Sequence, residues 1–291
     1  MDNQKIGREL NWNSSINPSE ALVELENKLS TFYSLNPNYY SDIDFTADNW
    51  QNESEKGYLR IVELAKTKNE ICEIGCGKAN ILKHYPDLSK KYTGLDFSNK
   101  VLHANAKKYP ESNFIPIVKP NEFPVGDENY DLVFSVFVLE HVVYPATFLS
   151  ECKRILKPGG TLVILCPDFL GRGRMTSQRA GFSAGNSSEK IKKGKLLDGI
   201  ITLFDNRIRI PFTSWKYRRQ ALKAPLFLIN LSPIVFQDEF QPDVDAVYLT
   251  HKNEICEYLK DEFTLEKNDS KMESYLFEKK LIFLQLNKNK K

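Results

Sequence analysis

Residues 70–82 read EICEIGCGKANIL. A short apolar run carrying one acid, Glu73, stops at Gly75, a second glycine follows at Gly77, and helix-forming residues resume at Ala79. Glycines permit a tight turn and let a ligand approach the main chain. A helix that starts after such a turn presents N–H groups without intrahelical partners, at the positive end of its dipole. The spacing predicts a strand at Ile71–Ile74, a glycine turn and a helix near Ala79–His84. That arrangement suits an adenosine-containing ligand or a ligand carboxylate.

The rhythm repeats downstream. Short apolar runs, YTGLDF (92–97), NFIPIV (113–118), DLVFSVFVL (131–139) and TLVILC (161–166), alternate with helix candidates SNKVLHANAKKY (98–109) and PATFLSECKRIL (145–156). Apolar runs without polar alternation suit strands covered on both faces. Strand–helix alternation then predicts a doubly wound α/β sheet. KPGG at 157–160 is expected to end the second of these helices, with Lys157 complementing its carboxyl end.

Asp96 closes the second strand, 19 residues after Gly77. Core packing calls for no carboxylate there, whereas an acid at that place can accept both hydroxyls of a ribose. A dinucleotide fingerprint would need a third glycine where Asn80 stands. A nicotinamide-dependent oxidoreductase is therefore an alternative and not the leading reading.

With these residues in view, the chain resembles the class I (Rossmann-like) S-adenosylmethionine-dependent methyltransferases of the small-molecule branch. EIGCGKANIL is similar to that family's first motif, YTGLDFS to its second, and YDLVFSVFVLEHVVYPATFLSECKRILKPGGTLVI to its stretch from strand four to strand five. The likeness runs over about 56–168. It implies a seven-stranded sheet, parallel except for its last strand, with the final two strands at 262–287. It implies S-adenosylmethionine as cofactor, with Gly75 and Gly77 under its methionine part and Glu73 supporting the amino group or ordering the turn. Asp96 would then take the ribose hydroxyls, Phe97 would lie beside the adenine, and Val136 would line the cofactor through its backbone. Family members often carry an acid near the adenine amine where this chain has Lys119, which cannot accept that hydrogen bond; Asn121 or a backbone carbonyl is the expected substitute. This departure favours a second alternative, a binding protein that keeps the fold without catalysis.

His141, after the fourth core strand, is the candidate general base for an oxygen acceptor, since an imidazole titrates near neutrality; bracing of the next helix is the competing role. Asp168, at the end of TLVILCPD, either contacts the acceptor or caps the segment that follows. Some quinone O-methyltransferases of the family hold a metal with two glutamates and the histidine. Here Phe137 occupies the first of those positions beside Glu140, so no metal is expected. His84, His103 and His251 read as surface or structural residues.

Outside this core, 1–55 reads as an N-terminal helical segment, with a helix at Pro18–Phe32 capped by Asn17, its Leu22, Leu25 and Leu29 facing the body. A second helix is expected from Glu55 to Lys66 and opens the cofactor-binding core, 56–168. Residues 169–247 break the α/β rhythm and read as a partly helical insertion over the acceptor site; 248–291 supply a helix (251–262) and two closing strands, FTLEKND (263–269) and KKLIFLQLN (279–287). The insertion is basic from Arg172 to Lys223, which suits an anionic acceptor such as a phosphorylated, nucleotide-linked or lipid-linked glycan, or else is a solvated face. Its run PLFLINLSPIVF (225–236) would rest on a membrane surface or a greasy acceptor, or pack on the sheet. Net charge over 291 residues is +2 and no nucleic-acid recognition module is present, so no nucleic-acid partner is expected. Five cysteines, odd in number and without C-x-x-C spacing, read as buried thiols in a reducing compartment. The N-terminus lacks a secretory pattern and no apolar run approaches the ~20 residues of a membrane span, so a cytoplasmic location is expected. Oligomeric state is left open.

Overall fold

Each of the four residues Ile71–Ile74 is buried, because the strand has a parallel neighbour on either side and helices above and below. The computed structural model describes residues 10–11, 20–35, 56–119, 122–171, 186–221, 224–231, 233 and 246–290. In chain order the elements are β1 (Leu10–Asn11), α1 (Glu20–Leu35), α2 (56–66), β2 (Ile71–Ile74), α3 (Asn80–His84), β3 (Tyr92–Asp96), α4 (Asn99–Lys108), β4 (Asn113–Pro116), β5 (Tyr130–Val136), α5 (Pro145–Ile155) and β6 (Leu156–Pro167). There follow α6 (Ser187–Lys192), α7 (Leu196–Phe204), a π-helical turn at Asp205–Arg209, α8 (Ile210–Ala221), β7 (Ile229–Asn230), α9 (Lys252–Leu259), β8 (Phe263–Leu265), α10 (Ser270–Lys279) and β9 (Leu281–Lys288).

Seven strands form one sheet in the order β4-β3-β2-β5-β6-β9-β8. Only β9 runs antiparallel to its neighbours. Side chains alternate between two cores, as the two-residue period of a strand requires. Cys72, Ile74, Val133, Leu162, Ile164, Ile282 and Leu284 face α1, α5 and α9. Ile71, Leu132, Phe134, Val163, Leu165 and Phe283 face α2, α4 and α10. The doubly wound sheet is thus the architecture expected from the apolar runs, and its one reversed strand is what the family resemblance implies.

α1 is more than a flanking segment. Leu22, Leu25 and Leu29 are buried in the same core as the strands, where each contributes roughly 1.5–3 kcal/mol. Its Pro18 and Asn17 signals lie outside the described residues. The Lys157–Gly160 turn is also different from expectation. α5 ends at Ile155 and β6 begins at Leu156, carrying KPGG as a distorted strand start whose register shifts between Tyr130 and Leu132. Lys157 leaves the helix end for Asp131, 3.1 Å away. Three further elements were not anticipated. One is α10, capped by Asp269 Oδ1, which accepts from the Met272 N–H at 2.7 Å. The others are β1 and β7, which pair antiparallel with each other.

The run 225–236 is read differently in place. Phe227, Leu228 and Ile229 are fully buried, and Glu254 on α9 pins the stretch: its Oε1 accepts from Leu226 N and Phe227 N at 2.7 Å each. This part of the run packs inside the molecule, because its backbone donors are met there; residues 232 and 234–236 lie outside the described ones. No helix among the described residues is long and apolar enough to cross a membrane.

Candidate active site

The turn after β2 holds three left-handed residues, Gly75 (φ +70), Gly77 (φ +48) and Ala79 (φ +52). Such angles are free for glycine and cost an alanine about 1–2 kcal/mol. The turn is stitched to the end of β3. Gly75 N and Cys76 N both donate to Leu95 O, at 2.8 and 3.0 Å. Gly77 N donates to Asp96 Oδ2 at 2.9 Å, and Ser98 N to Asp96 Oδ1 at 2.9 Å. From α4, Asn105 Nδ2 donates to Gly77 O at 2.7 Å. Asn105 is buried and was not singled out from the sequence, where a polar residue within a helix reads as solvated.

The glycine turn and the acid therefore meet at one point. A carboxylate offers about four acceptor sites, and the Gly77 and Ser98 amides each take one oxygen of Asp96. The helix expected to lend a strong dipole end is only five residues long, and a dipole effect is confined to well-formed terminal turns. The turn's own N–H groups and Asp96 define the place instead.

β5 delivers the opposite wall. Val136 ends the strand, Phe137 follows at φ +55, and Val138 packs so closely on the turn that a Cβ on Gly75 would lie 2.4 Å from its Cγ2. A short 3-10 turn, Leu139–His141, then presents Glu140 and His141. Glu140 is buried, with Oε1 3.9 Å from His141 Nε2. The His141 ring meets Tyr33 of α1 edge-on at 6.1 Å. Glu140 O accepts from Val247 N at 2.7 Å and from Tyr248 N at 2.9 Å. The chain returning from the insertion is thus fixed to the His141 turn. Tyr33 was not foreseen, because its place beside His141 depends on how α1 packs.

Asp168 is buried at the end of β6, and its Oδ1 accepts from Gly171 N at 2.8 Å. That bond closes the following turn, whose Leu170 and Gly171 carbonyls accept from Arg218 of α8. Phe97 is partly buried against the α1-side core and Val136 against the other. Asn121 lies outside the described residues. Lys119 is exposed and pairs with Glu122 at 2.9 Å. Among the described residues no group of three or more His, Cys, Asp or Glu side chains is placed to hold a metal ion.

Glu73 is buried on the α2-side face of β2, where Tyr92 also packs. Its Oε2 accepts from the Tyr92 hydroxyl at 2.5 Å. Burial pushes its carboxyl up to about 8, with the Tyr92 hydrogen bond lowering it and the Asp96 charge raising it by less. An acid raised on folding gives stability that is full below its unfolded value near 4.5 and lost as pH rises through about 8. We expect unfolding free energy to fall across that window by on the order of a few kcal/mol, and Glu73→Gln to flatten the slope. Urea midpoints measured as a pH series check this; an unchanged slope in the variant would exclude Glu73 as the source. Glu26 on α1, raised to about 7 mainly by burial, adds to the same trend.

Sheet order and the single reversed strand define a doubly wound α/β domain of the class I type. Residues 72–164 match the family model described as "Methyltransferase domain". This stretch, about a third of the chain, is similar to the methyltransferase domain of S-adenosylmethionine-dependent methyltransferases, a family whose cofactor is S-adenosylmethionine. A ubiquinone biosynthesis O-methyltransferase of Psychrobacter cryohalolentis is 25 % identical over 173 residues, covering 52 % of this chain and 63 % of that protein. A demethylmenaquinone methyltransferase of Bacillus velezensis is 34 % identical over 123 residues, covering 40 % and 51 %. The chain thus spans about half to five-eighths of the length of these curated relatives. A crystal structure of an S-adenosylmethionine-dependent methyltransferase from Aquifex aeolicus is also similar, at 13 % identity and a TM-score of 0.42 over 82 % of this chain and 95 % of that one.

Proposed function

We propose that this chain transfers the methyl group of S-adenosylmethionine to an oxygen of a small, lipophilic acceptor held between the His141 turn and the 169–247 insertion. The observation that carries the reading is the Asp96 carboxylate bonded to the Gly77 amide, which joins the two halves of a nucleoside site. S-adenosylmethionine supplies a methyl carbon on a positively charged sulfur, so the leaving group is already activated. The chain's share is placement and proton removal. The main chain at Gly75 and Gly77 underlies the methionine part, Asp96 holds the ribose, Phe97 lies beside the base, and Val136 lines the cofactor through its backbone. Alignment of this kind is worth roughly 7–11 kcal/mol.

His141 takes the acceptor's hydroxyl proton as the oxygen–carbon bond forms and the sulfur–carbon bond breaks, a contribution of about 10²–10⁴-fold. Asp168 holds the 168–171 turn and shapes the acceptor side. For the acceptor class, the support is that one relative is named for ubiquinone biosynthesis and the other for demethylmenaquinone. A phosphorylated or nucleotide-linked glycan has less behind it. Among the described residues, insertion cations are exposed or engaged within the insertion, as Lys190 is with Thr202 and Arg209 with Asp205.

The test is incubation with methyl-labelled S-adenosylmethionine and a lipid extract beside an aqueous one. Label is expected in a lipid-soluble product; label confined to water-soluble products would refute the acceptor class. Cofactor binding without transfer to either extract would leave the non-catalytic binding protein. We expect His141→Ala to lower kcat about a hundredfold while cofactor Kd stays within about twofold. Unchanged turnover would reduce His141 to a brace for the turn.

A further inference from the structure

α7, the π-helical turn and α8 run without a break from Leu196 to Ala221. One side of this rod is anchored. Tyr217, Ile210, Thr202 and Asp205 are buried, with Tyr217 and Ile210 packed on Phe169, Leu170 and Leu249. The other side is apolar and open: Leu197 is 76 % exposed, Phe212 61 % and Ile208 56 %, with Ile200, Phe204 and Trp215 about half exposed. Phe204, Ile208 and Phe212 recur every fourth residue across the π-helical turn. A π turn holds more residues per turn than an α-helix, so it offsets the drift that a four-residue spacing shows on an α-helix.

Charge tells what such a face meets. Residues 186–221 carry nine Lys and Arg against three Asp and Glu, net +6. The other 255 residues carry 31 against 35, net −4. The cations border the apolar stripe. Lys192, Lys193 and Lys195 lead into it, and Arg219 lies over the Trp215 ring at 4.4 Å. A second copy docking the same face would set like charges against each other, since a two-fold contact is made by one patch on both partners. Large apolar side chains rimmed by Lys and Arg match the headgroup boundary of an anionic bilayer, where the rings sink in and the cations meet phosphates.

We propose that the 196–221 rod docks this protein on an anionic membrane surface. It lies in the interface plane and does not span, and its anchored side keeps the carboxyl edge of the sheet next to the lipid. The inference adds a source for a lipid-soluble acceptor but does not depend on the proposed reaction, because docking is measured without cofactor or acceptor.

The experiment is co-flotation of the full chain with vesicles of phosphatidylglycerol mixed with phosphatidylcholine, against phosphatidylcholine alone. We expect at least about tenfold more protein on the anionic vesicles, with loss of that excess in high salt. The variant Leu197→Glu, Phe204→Glu, Phe212→Glu is expected to lower binding at least about tenfold while its circular dichroism and S-adenosylmethionine affinity stay unchanged. A second variant, Lys192→Gln, Lys193→Gln, Lys195→Gln, should remove the anionic preference and leave the fold intact. Equal flotation on both vesicle types, or undiminished binding by the glutamate variant, would overturn the proposal. So would lipid-free self-association abolished by the glutamate variant, with no anionic flotation, which would assign the face to a second copy.

Discussion

Asp96→Ala is expected to weaken S-adenosylmethionine binding by about 10²–10⁴-fold. A hydrogen bond to a charged acceptor contributes about 1.5–3 kcal/mol, and two ribose hydroxyls are at stake, hence about 3–6 kcal/mol at tenfold per 1.4 kcal/mol. The same carboxylate also fixes the amides of Gly77 and Ser98, so the variant loosens the turn as well. Asp96→Asn should fall between, because an amide has one oxygen for the two backbone donors. Calorimetric titration decides the matter, and a Kd within about threefold of the parent in Asp96→Ala would remove the basis of the proposed site.

The second large effect concerns Gly75. An alanine there must adopt φ +70 and drive its Cβ to within 2.4 Å of Val138 Cγ2. The left-handed angle costs roughly 1–2 kcal/mol, and the forced shift of a stiff β-branched neighbour about 1–3 more. Together these are a large part of a typical 5–15 kcal/mol of total stability. Gly75→Ala is expected to lower the urea midpoint strongly and to weaken cofactor binding. Adding Val138→Ala should return the steric share and leave the backbone share, an energy coupling that a double-mutant cycle reads directly. A loss under about 0.5 kcal/mol in the single variant would show that the turn relaxes at little cost.

The core strands were legible because burial on both faces leaves unbroken apolar runs, and because Asp96 sits at a strand end where packing offers no reason for a charge. α10 was not. Its described core contacts come from Met272, Tyr275 and Leu276, a single turn's worth, too short for a helical period to stand out. β1 and β7 are two residues each, below what any pattern can mark. Glu254 looks like a solvated helical acid, yet it is fully buried and accepts from Tyr248 Oη as well as from two amides. Only tertiary packing supplies those donors. The open face of α7 and α8 was hidden for the opposite reason. Apolar residues at helical spacing read as core whichever way the helix is turned, whereas Phe227, Leu228 and Ile229, in the run expected to meet a membrane or a greasy acceptor, face inward. Tyr33 and Asn105 reach the site from separate helices, and nothing in their local sequence marks where those helices settle.

The two amides that converge on Glu140 O have a mechanical consequence. The covering segment and the floor beneath it share a pivot one residue from the imidazole. Any swing of the 247–248 segment tugs on that pivot, so in the proposed reaction the entry of an acceptor and the aim of His141 are geared together.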